Sequence, residues 1–167
     1  MARTTINEVF TKEDWEKYNE YAEAVKRDLS VSGLSKERQE EIFNVLAYNE
    51  QMRMAANRLG TEYNELNAQR NQLIDKYEVE PKDSKAKKIA GDIQKVTAKR
   101  NDVGQERNHF MKKFHETSAR AVALDRELND ALIKQGYKID ARGRLRKSEG
   151  YRQSPTVKTR TRVTKSM

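Results

Sequence analysis

The stretch NEQMRMAANRLGTEYNELNAQRNQLIDKY, residues 49–77, decides the fold, because its apolar residues recur alternately every three and four positions. The same spacing begins earlier, at Ile42, and its polar exceptions are Asn49 and Arg70. A period of 3.5 residues kept this long predicts a helix packed along a partner helix. The positions of this stripe are Ile42, Val45, Asn49, Met52, Ala56, Leu59, Tyr63, Leu66, Arg70, Leu73 and Tyr77.

A second long stripe follows after VEPKDS, residues 79–84, where Pro81 ends the first helix. So short a connection favours antiparallel neighbours. We therefore expect residues 36–135 to form an antiparallel coiled-coil hairpin that serves as the oligomerisation domain, with Gly60 facing Gly104. The second stripe is Ala86, Ile89, Ile93, Val96, Arg100, Val103, Arg107, Phe110, Phe114, Thr117, Ala121, Leu124, Leu128 and Ala131.

An N-terminal helix and its connector occupy residues 1–35. Thr11 is placed to cap this helix with Asp14 three residues later, and Ser35 is placed to cap the next helix. Because the last helix is longer than the one before it, we expect the N-terminal helix to pack at that end. Its apolar stripe is Trp15, Tyr18, Ala22, Val25 and Leu29.

The composition favours an all-α fold of thin helices. Of the 167 residues, 35% are hydrophobic and 36% are charged, and the mean hydropathy is −1.06, which excludes a wide layered core. There is no cysteine, hence no disulfide or thiolate metal site. Without a long apolar run or a signal segment, we expect a soluble cytoplasmic protein with no membrane partner.

Residues 136–167 form a basic arm. The chain has 34 basic and 26 acidic residues; ten basic and two acidic ones lie in the arm, which leaves 24 of each sign before it. The net charge of +8 thus resides in the arm, which indicates binding to a polyanion. The predicted nucleic-acid-binding residues are Lys138, Arg142, Arg144, Arg146, Lys147, Arg152, Lys158, Arg160, Arg162 and Lys165.

Within the arm, residues 137–139 and 144–146 could pair as a short β-hairpin around DARG, with Gly143 in the turn. The segment beyond it has no hydrophobic pattern and is expected to be disordered when alone. Its KTRTRVTK sequence, residues 158–165, places hydroxyls between cations, and both groups can contact phosphates. Tyr137 and Tyr151 could stack on bases.

No catalytic or cofactor motif is present in the sequence, which predicts a protein that is not an enzyme and needs no cofactor. His109 and His115 are six residues apart on one helix and therefore cannot share a metal ion. Polar residues at stripe positions more often set the register or the oligomeric state of paired helices than take part in catalysis. Flanking apolar residues at Phe43, Leu46 and Tyr48 are expected to be exposed in a single chain and to support homo-oligomer formation.

Two segments resemble bacteriophage terminase small subunits: FTKEDWEKYNEYAEAV, residues 10–25, and NEQMRMAANRLG, residues 49–60. The resemblance implies a viral genome-packaging protein that forms a ring, recognises DNA and presents it to a motor subunit, which carries the ATPase and nuclease. SVSGLS, residues 30–35, is longer than a helix-turn-helix turn. The resemblance therefore assigns no individual DNA-contacting residue.

Two other classes fit the same features. A viral scaffolding or connector protein would dock the basic arm on an acidic capsid or portal protein. A factor bound to ribosomal or other RNA would use the basic arm to bind that RNA. The sequence favours DNA over RNA through the resemblance alone, since phosphate contacts do not distinguish the two.

Overall fold

The computed structural model of this chain describes residues 2–79, 84–139, 145–146 and 163–165. The helices are α1 (Ile6–Val9), α2 (Lys12–Ser30), α3 (Lys36–Val79) and α4 (Ser84–Lys134). Three short strands follow: β1 (Tyr137–Ile139), β2 (Leu145–Arg146) and β3 (Val163–Lys165). The all-α class is confirmed, while α1 and β3 are elements that the sequence did not predict.

The chain divides into two compact units, and α3 and α4 contribute to both. Unit 1 contains the described residues of Met1–Phe10 and Met52–Lys113. Unit 2 contains those of Thr11–Gln51 and Phe114–Met167.

Local capping signals define where the helices begin and end. The Asp14 backbone N–H donates to Thr11 Oγ1 at 3.2 Å, and the Thr11 N–H donates back to an Asp14 carboxylate oxygen at 3.0 Å. At the start of α3, the Arg38 N–H donates to Ser35 Oγ at 3.2 Å. Gly136, with φ +93°, lies just beyond α4. The caps at Thr11 and Ser35 were predicted from the sequence and are confirmed.

In unit 2, residues of α2, α3 and α4 share one apolar core. Tyr21 and Val31 pack against its edge. The predicted α2 stripe supplies Val25 and Leu29 to this core, so that helix buries the face expected of it. The buried members are Val25, Leu29, Ile42, Leu46, Ala121, Leu124, Leu128, Leu132 and Tyr137.

The predicted exposure of three flanking residues is partly wrong. Leu46 is only 3% exposed and belongs to the unit 2 core. Phe43 is half-buried, with Lys26 Nζ 5.0 Å from its ring centroid. Only Tyr48, at 39%, is exposed. The physical reason is that the third helix of this unit covers a flank of α3 that a two-helix pairing leaves open.

In unit 1, α3 and α4 pack against each other and run in opposite directions. Arg70 Nε donates to Thr97 Oγ1 at 2.9 Å, and Arg100 Nη1 donates to Asn67 Oδ1 at 3.0 Å. Residue numbers therefore rise along one segment as they fall along the other. The buried apolar residues between the two segments include Leu59, Leu66, Val103 and Phe110.

Gly60 and Gly104 do not face each other, so that prediction is wrong. A Cβ atom at residue 60 would lie 3.1 Å from Arg107 Nε, and one at residue 104 would lie 3.3 Å from the Tyr63 ring. Each glycine thus accommodates a large side chain of the opposite helix. Two glycines face to face would leave a gap without dispersion contacts, whereas a ring or a guanidinium stem fills it.

Glycine replacements should have opposite effects in α4 and in the α2–α3 connection. Gly91 is helical with no neighbouring atom within 4 Å of a Cβ, so Gly91→Ala should raise the free energy of unfolding by about 0.5–1 kcal/mol. Gly33 has φ +77° and packs against the Gln135 side chain, so Gly33→Ala should lower it. Urea denaturation of both variants measures this; a loss of stability in Gly91→Ala would contradict it.

The strands form small pairings after α4. β1 pairs antiparallel with β2, with Lys138 opposite Arg146 and Ile139 opposite Leu145. β1 also pairs antiparallel with β3. Residues 140–144 lie outside the described residues, so the predicted hairpin turn at Gly143 stays a prediction. The predicted disorder of the C-terminal segment also falls mostly on residues outside them.

Candidate functional site

The structure describes the backbone of three of the ten predicted nucleic-acid-binding residues. Lys138, Arg146 and Lys165 lie on β1, β2 and β3, respectively. The other seven lie outside the described residues: Arg142, Arg144, Lys147, Arg152, Lys158, Arg160 and Arg162.

Strand pairing brings cationic residues from distant parts of the arm together. Lys138 pairs with Arg146 across β1 and β2, and Tyr137 pairs with Lys165 across β1 and β3. Thr164 is the partner of both Lys138 and Arg146. The backbone pairing thus places three of the predicted nucleic-acid-binding residues on adjacent strands.

Tyr137 has a different role from the predicted one. It is 7% exposed and belongs to the unit 2 core, together with Leu128 and Leu132. A ring buried in this way is not available to stack on a base, so that part of the prediction is wrong. The ring instead anchors the start of the basic arm to the helices. Tyr151 lies outside the described residues.

The polar residues of the heptad stripes have structural partners. Asn49 Nδ2 donates to the Phe114 carbonyl at 3.2 Å and to Thr117 Oγ1 at 2.8 Å. The Arg100 guanidinium also lies 5.7 Å from the centre of the Tyr63 ring. Because these contacts join opposite helices at fixed positions, they favour one register.

A cluster of exposed ion pairs in unit 2 was not predicted. Arg38 donates to Glu127 through Nε at 2.6 Å and to Glu41 through Nη1 at 2.6 Å. Arg120 also donates to Glu41. The hydrogen bonds from Arg38 hold the pKa of Glu127 below its usual value. These side chains are 35–60% exposed, so the pairs contribute little stability.

A second cluster, in unit 1, is more deeply buried. Arg3 donates through Nη2 to Glu106 Oε1 at 2.8 Å and to Glu62 Oε2 at 2.7 Å. The Glu106 side chain is 5% exposed, whereas those of Arg3 and Glu62 are 29% and 33% exposed. Arg3 precedes every periodic segment, and so no signal in the sequence connects it with residues about sixty and one hundred positions later.

Each unit also contains an open cleft. The unit 1 cleft has a volume of about 520 Å³, and its lining includes Arg3, Glu62, Lys99 and Glu106. The unit 2 cleft, of about 460 Å³, is lined by residues 32–34 and by α4 from Ala123 onward. Among the described residues no three His, Cys, Asp or Glu side chains are grouped to hold a metal ion.

The first half of α4 is a second basic segment. Residues 84–113 contain nine basic and three acidic residues. Lys88, Lys95 and Lys99 recur at spacings of seven and four, so they lie along one side of the helix. All three are exposed and, within the part of the chain that the structure describes, form no ion pair. The balanced charge of residues 1–135 therefore hides a local excess of positive charge.

None of the described helices is long and apolar enough to cross a membrane. In comparisons with known proteins, no protein-family model, curated protein or solved structure matches this chain.

Proposed function

We propose that this protein is a non-enzymatic assembly factor that self-associates through residues 36–135 and binds a polyanion, with duplex DNA favoured, through its basic arm. The observation that carries the proposal is the charge distribution: the whole excess of +8 belongs to the last 32 residues. A short cationic segment attached to a long helical body separates the binding of nucleic acid from assembly.

The attachment of the arm supports this division of roles. Lysine and arginine contacts to phosphates supply affinity without reading sequence. The pairing of Lys138 with Arg146 gathers positive charge immediately after α4. Because Tyr137 is part of the unit 2 core, a polyanion bound at β1 is coupled to the helices rather than to a free chain.

The helices supply the surface for self-association in this proposal. In each unit the contacts between α3 and α4 run in opposite directions, which supports the proposed hairpin. Apolar surface remains on unit 2: Val122 is 58% exposed and Ile133 49%. Eleven residues apart, they lie on one side of α4. With Tyr48, they are the apolar residues that we expect a second copy to cover.

The particular function that we favour is that of a small subunit in phage DNA packaging. Its support is the resemblance of residues 10–25, which form most of α2, and of residues 49–60, which lie within α3. The motor subunit, or a capsid or portal protein, would then be the partner. The arm, rather than a recognition helix, would hold the DNA.

Salt-titrated binding distinguishes the candidate ligands. We expect the full-length protein to bind duplex DNA, with log affinity falling linearly as log salt rises. Parallel titrations use an RNA duplex of the same length and an acidic protein. If the protein bound RNA more tightly than DNA, RNA would be the proposed ligand in place of DNA. Binding to the acidic protein alone would overturn the proposal in favour of a scaffolding or connector role.

Light scattering measures the assembly. At micromolar concentration we expect a closed homo-oligomer, and Val122→Glu with Ile133→Glu should dissociate it while the helical circular dichroism signal persists. Glu116→Gln, an exposed change elsewhere on α4, is the matched control. A wild-type protein that stays monomeric would contradict self-association.

A further inference from the structure

The N-terminal segment, residues 2–10, which we call the strap, is held in unit 1 at both of its ends. At one end the Arg3 backbone N–H and guanidinium donate to Glu106, and the guanidinium also donates to Glu62. At the other end Val9 and Phe10 are 4% and 8% exposed. The strap thus joins α3 to α4 through one arginine.

The carboxylates under the strap need a cation. Glu106 is nearly buried, and an unpaired carboxylate at that depth is strongly unfavourable. The charged groups facing it are Arg3 from the strap, Glu62 and Glu65 from α3, and Lys99 and Asp102 from α4. Apart from Arg3, the residues that line this cleft supply four carboxylates and one lysine, and the N-terminal ammonium group also acts to lower the pKa of Glu106.

The geometry of the contact is specific for a guanidinium group. Glu106 accepts bonds from Nε at 3.1 Å and from Nη2 at 2.8 Å, and Glu62 accepts one from Nη2 at 2.7 Å. A planar group with several fixed donors satisfies two carboxylates at once, whereas an ammonium group acts as a point charge.

We propose that the strap is releasable and that Glu62 and Glu106 form an arginine-binding site, which Arg3 fills at neutral pH. Protonation of Glu106 or competition by another guanidinium group frees the strap. A guanidinium group of a basic peptide then takes the place of Arg3, beside the open cleft of about 520 Å³ that Arg3 lines.

The expected direction with pH follows from the surroundings of Glu106. Burial acts to raise the pKa of Glu106, but the hydrogen bonds from Arg3 outweigh it and hold that pKa below the usual value. A carboxylate with a depressed pKa stabilises the bound state above its free pKa, about 4.3 for glutamate. That contribution is lost as the pH falls through the depressed pKa, so acid should release the strap.

The strap has a carboxylate of its own, Glu8, whose pKa is also lowered. Glu8 lies in α1 and accepts hydrogen bonds from Thr5, the residue that caps this helix, and these bonds lower the pKa of Glu8. Glu8→Gln therefore serves as a control that separates loss of the α1 cap from loss of the Arg3 contact.

The experiment uses the absence of cysteine in the natural chain. A fluorophore on Ala2→Cys reports mobility of the strap through its anisotropy, while circular dichroism reports the helices. At pH 7 we expect low mobility in the parent protein and high mobility in Arg3→Ala, with Arg3→Lys intermediate. Glu65→Gln, which changes a neighbouring carboxylate that does not bond Arg3, should match the parent. If Arg3→Ala loses helical signal, the mobility of the label in Arg3→Lys is compared with that in the parent protein instead.

Acid and competitor titrations complete the test. As the pH falls below the usual glutamate pKa of about 4.3, the parent should gain mobility with its helical signal retained, Arg3→Ala should show no such transition, and Glu8→Gln should keep it. At equal ionic strength, free arginine should mobilise the label in the parent more than lysine does. An immobile label in both Arg3 variants, or equal effects of arginine and lysine, would overturn the proposal.

Discussion

Leu66→Asp is expected to destroy the packing of α3 against α4 in unit 1. Leu66 is 8% exposed, and Val103, on α4 of the same unit, is 3% exposed. An unpaired carboxylate placed among such side chains costs several kcal/mol, against a total stability of about 5–15 kcal/mol for a typical domain. For a chain of this size we expect a fall in melting temperature of about 10 °C or more.

Thermal denaturation followed by circular dichroism measures this effect, and neighbouring positions supply the controls. Val103→Asp should be as damaging as Leu66→Asp. Glu65→Ala changes the residue before Leu66, which is exposed, and should alter stability by no more than about 0.5 kcal/mol. A melting temperature within a degree or two of the parent in Leu66→Asp would show that the heptad register is wrong.

Some of the buried positions of the long helices were predictable, because the spacing that places the stripe residues is local. Met52, Leu59 and Leu66 belong to the predicted stripe of α3 and are all buried. Arg107, a polar position in the stripe of α4, is instead exposed. Its long side chain can lie over Gly60 and still reach water, so a stripe position does not require burial.

Contacts between distant segments were not predictable in the same way. Leu46 lies beside the stripe, and its burial depends on which side of α3 is covered by α2 in unit 2. The fit of Tyr63 against Gly104 depends on register along the whole helix. Period and capping determine where helices begin and what they bury, but they do not determine which residues of two helices meet.

The candidate sites differ for a related reason. The basic arm was visible in the sequence because net charge can be counted, although its anchoring by Tyr137 was not. The Arg3 contact joins the N-terminus to Glu62 and Glu106. It involves no repeat, motif or charge run, and only the packing of the strap in unit 1 reveals it.

Either of the two basic segments of this chain could supply the contacts to DNA, and the two possibilities predict different salt dependences for variants. The arm carries ten basic residues, and the first half of α4 carries nine, including Lys88, Lys95 and Lys99. Three acidic residues share that half of α4 with them. Counterion release counts the phosphates that are neutralised, so the salt dependence of each truncated or substituted protein shows which segment makes the contact.

Deleting residues 142–167 is expected to remove most of the salt-dependent affinity for duplex DNA. If about five basic residues of the arm contact phosphates together, log affinity should fall with log salt at a slope of roughly −4 to −5 in the full-length protein. The slope should approach zero after deletion. The helical signal of α2, α3 and α4 should persist, because the described residues of the unit 2 core end at Tyr137, before the deleted segment.

A substituted protein controls for the loss of β2 and β3 in that deletion. Lys158, Arg160 and Arg162 changed to glutamine keep the chain length and the two strands, and three lost contacts should reduce the steepness of the slope by about 2.7. The matched variant changes Lys88, Lys95 and Lys99 to glutamine and should leave the slope unaltered. If instead the arm variants keep the full slope and the α4 variant loses it, DNA lies along the exposed side of α4 and the arm binds another partner.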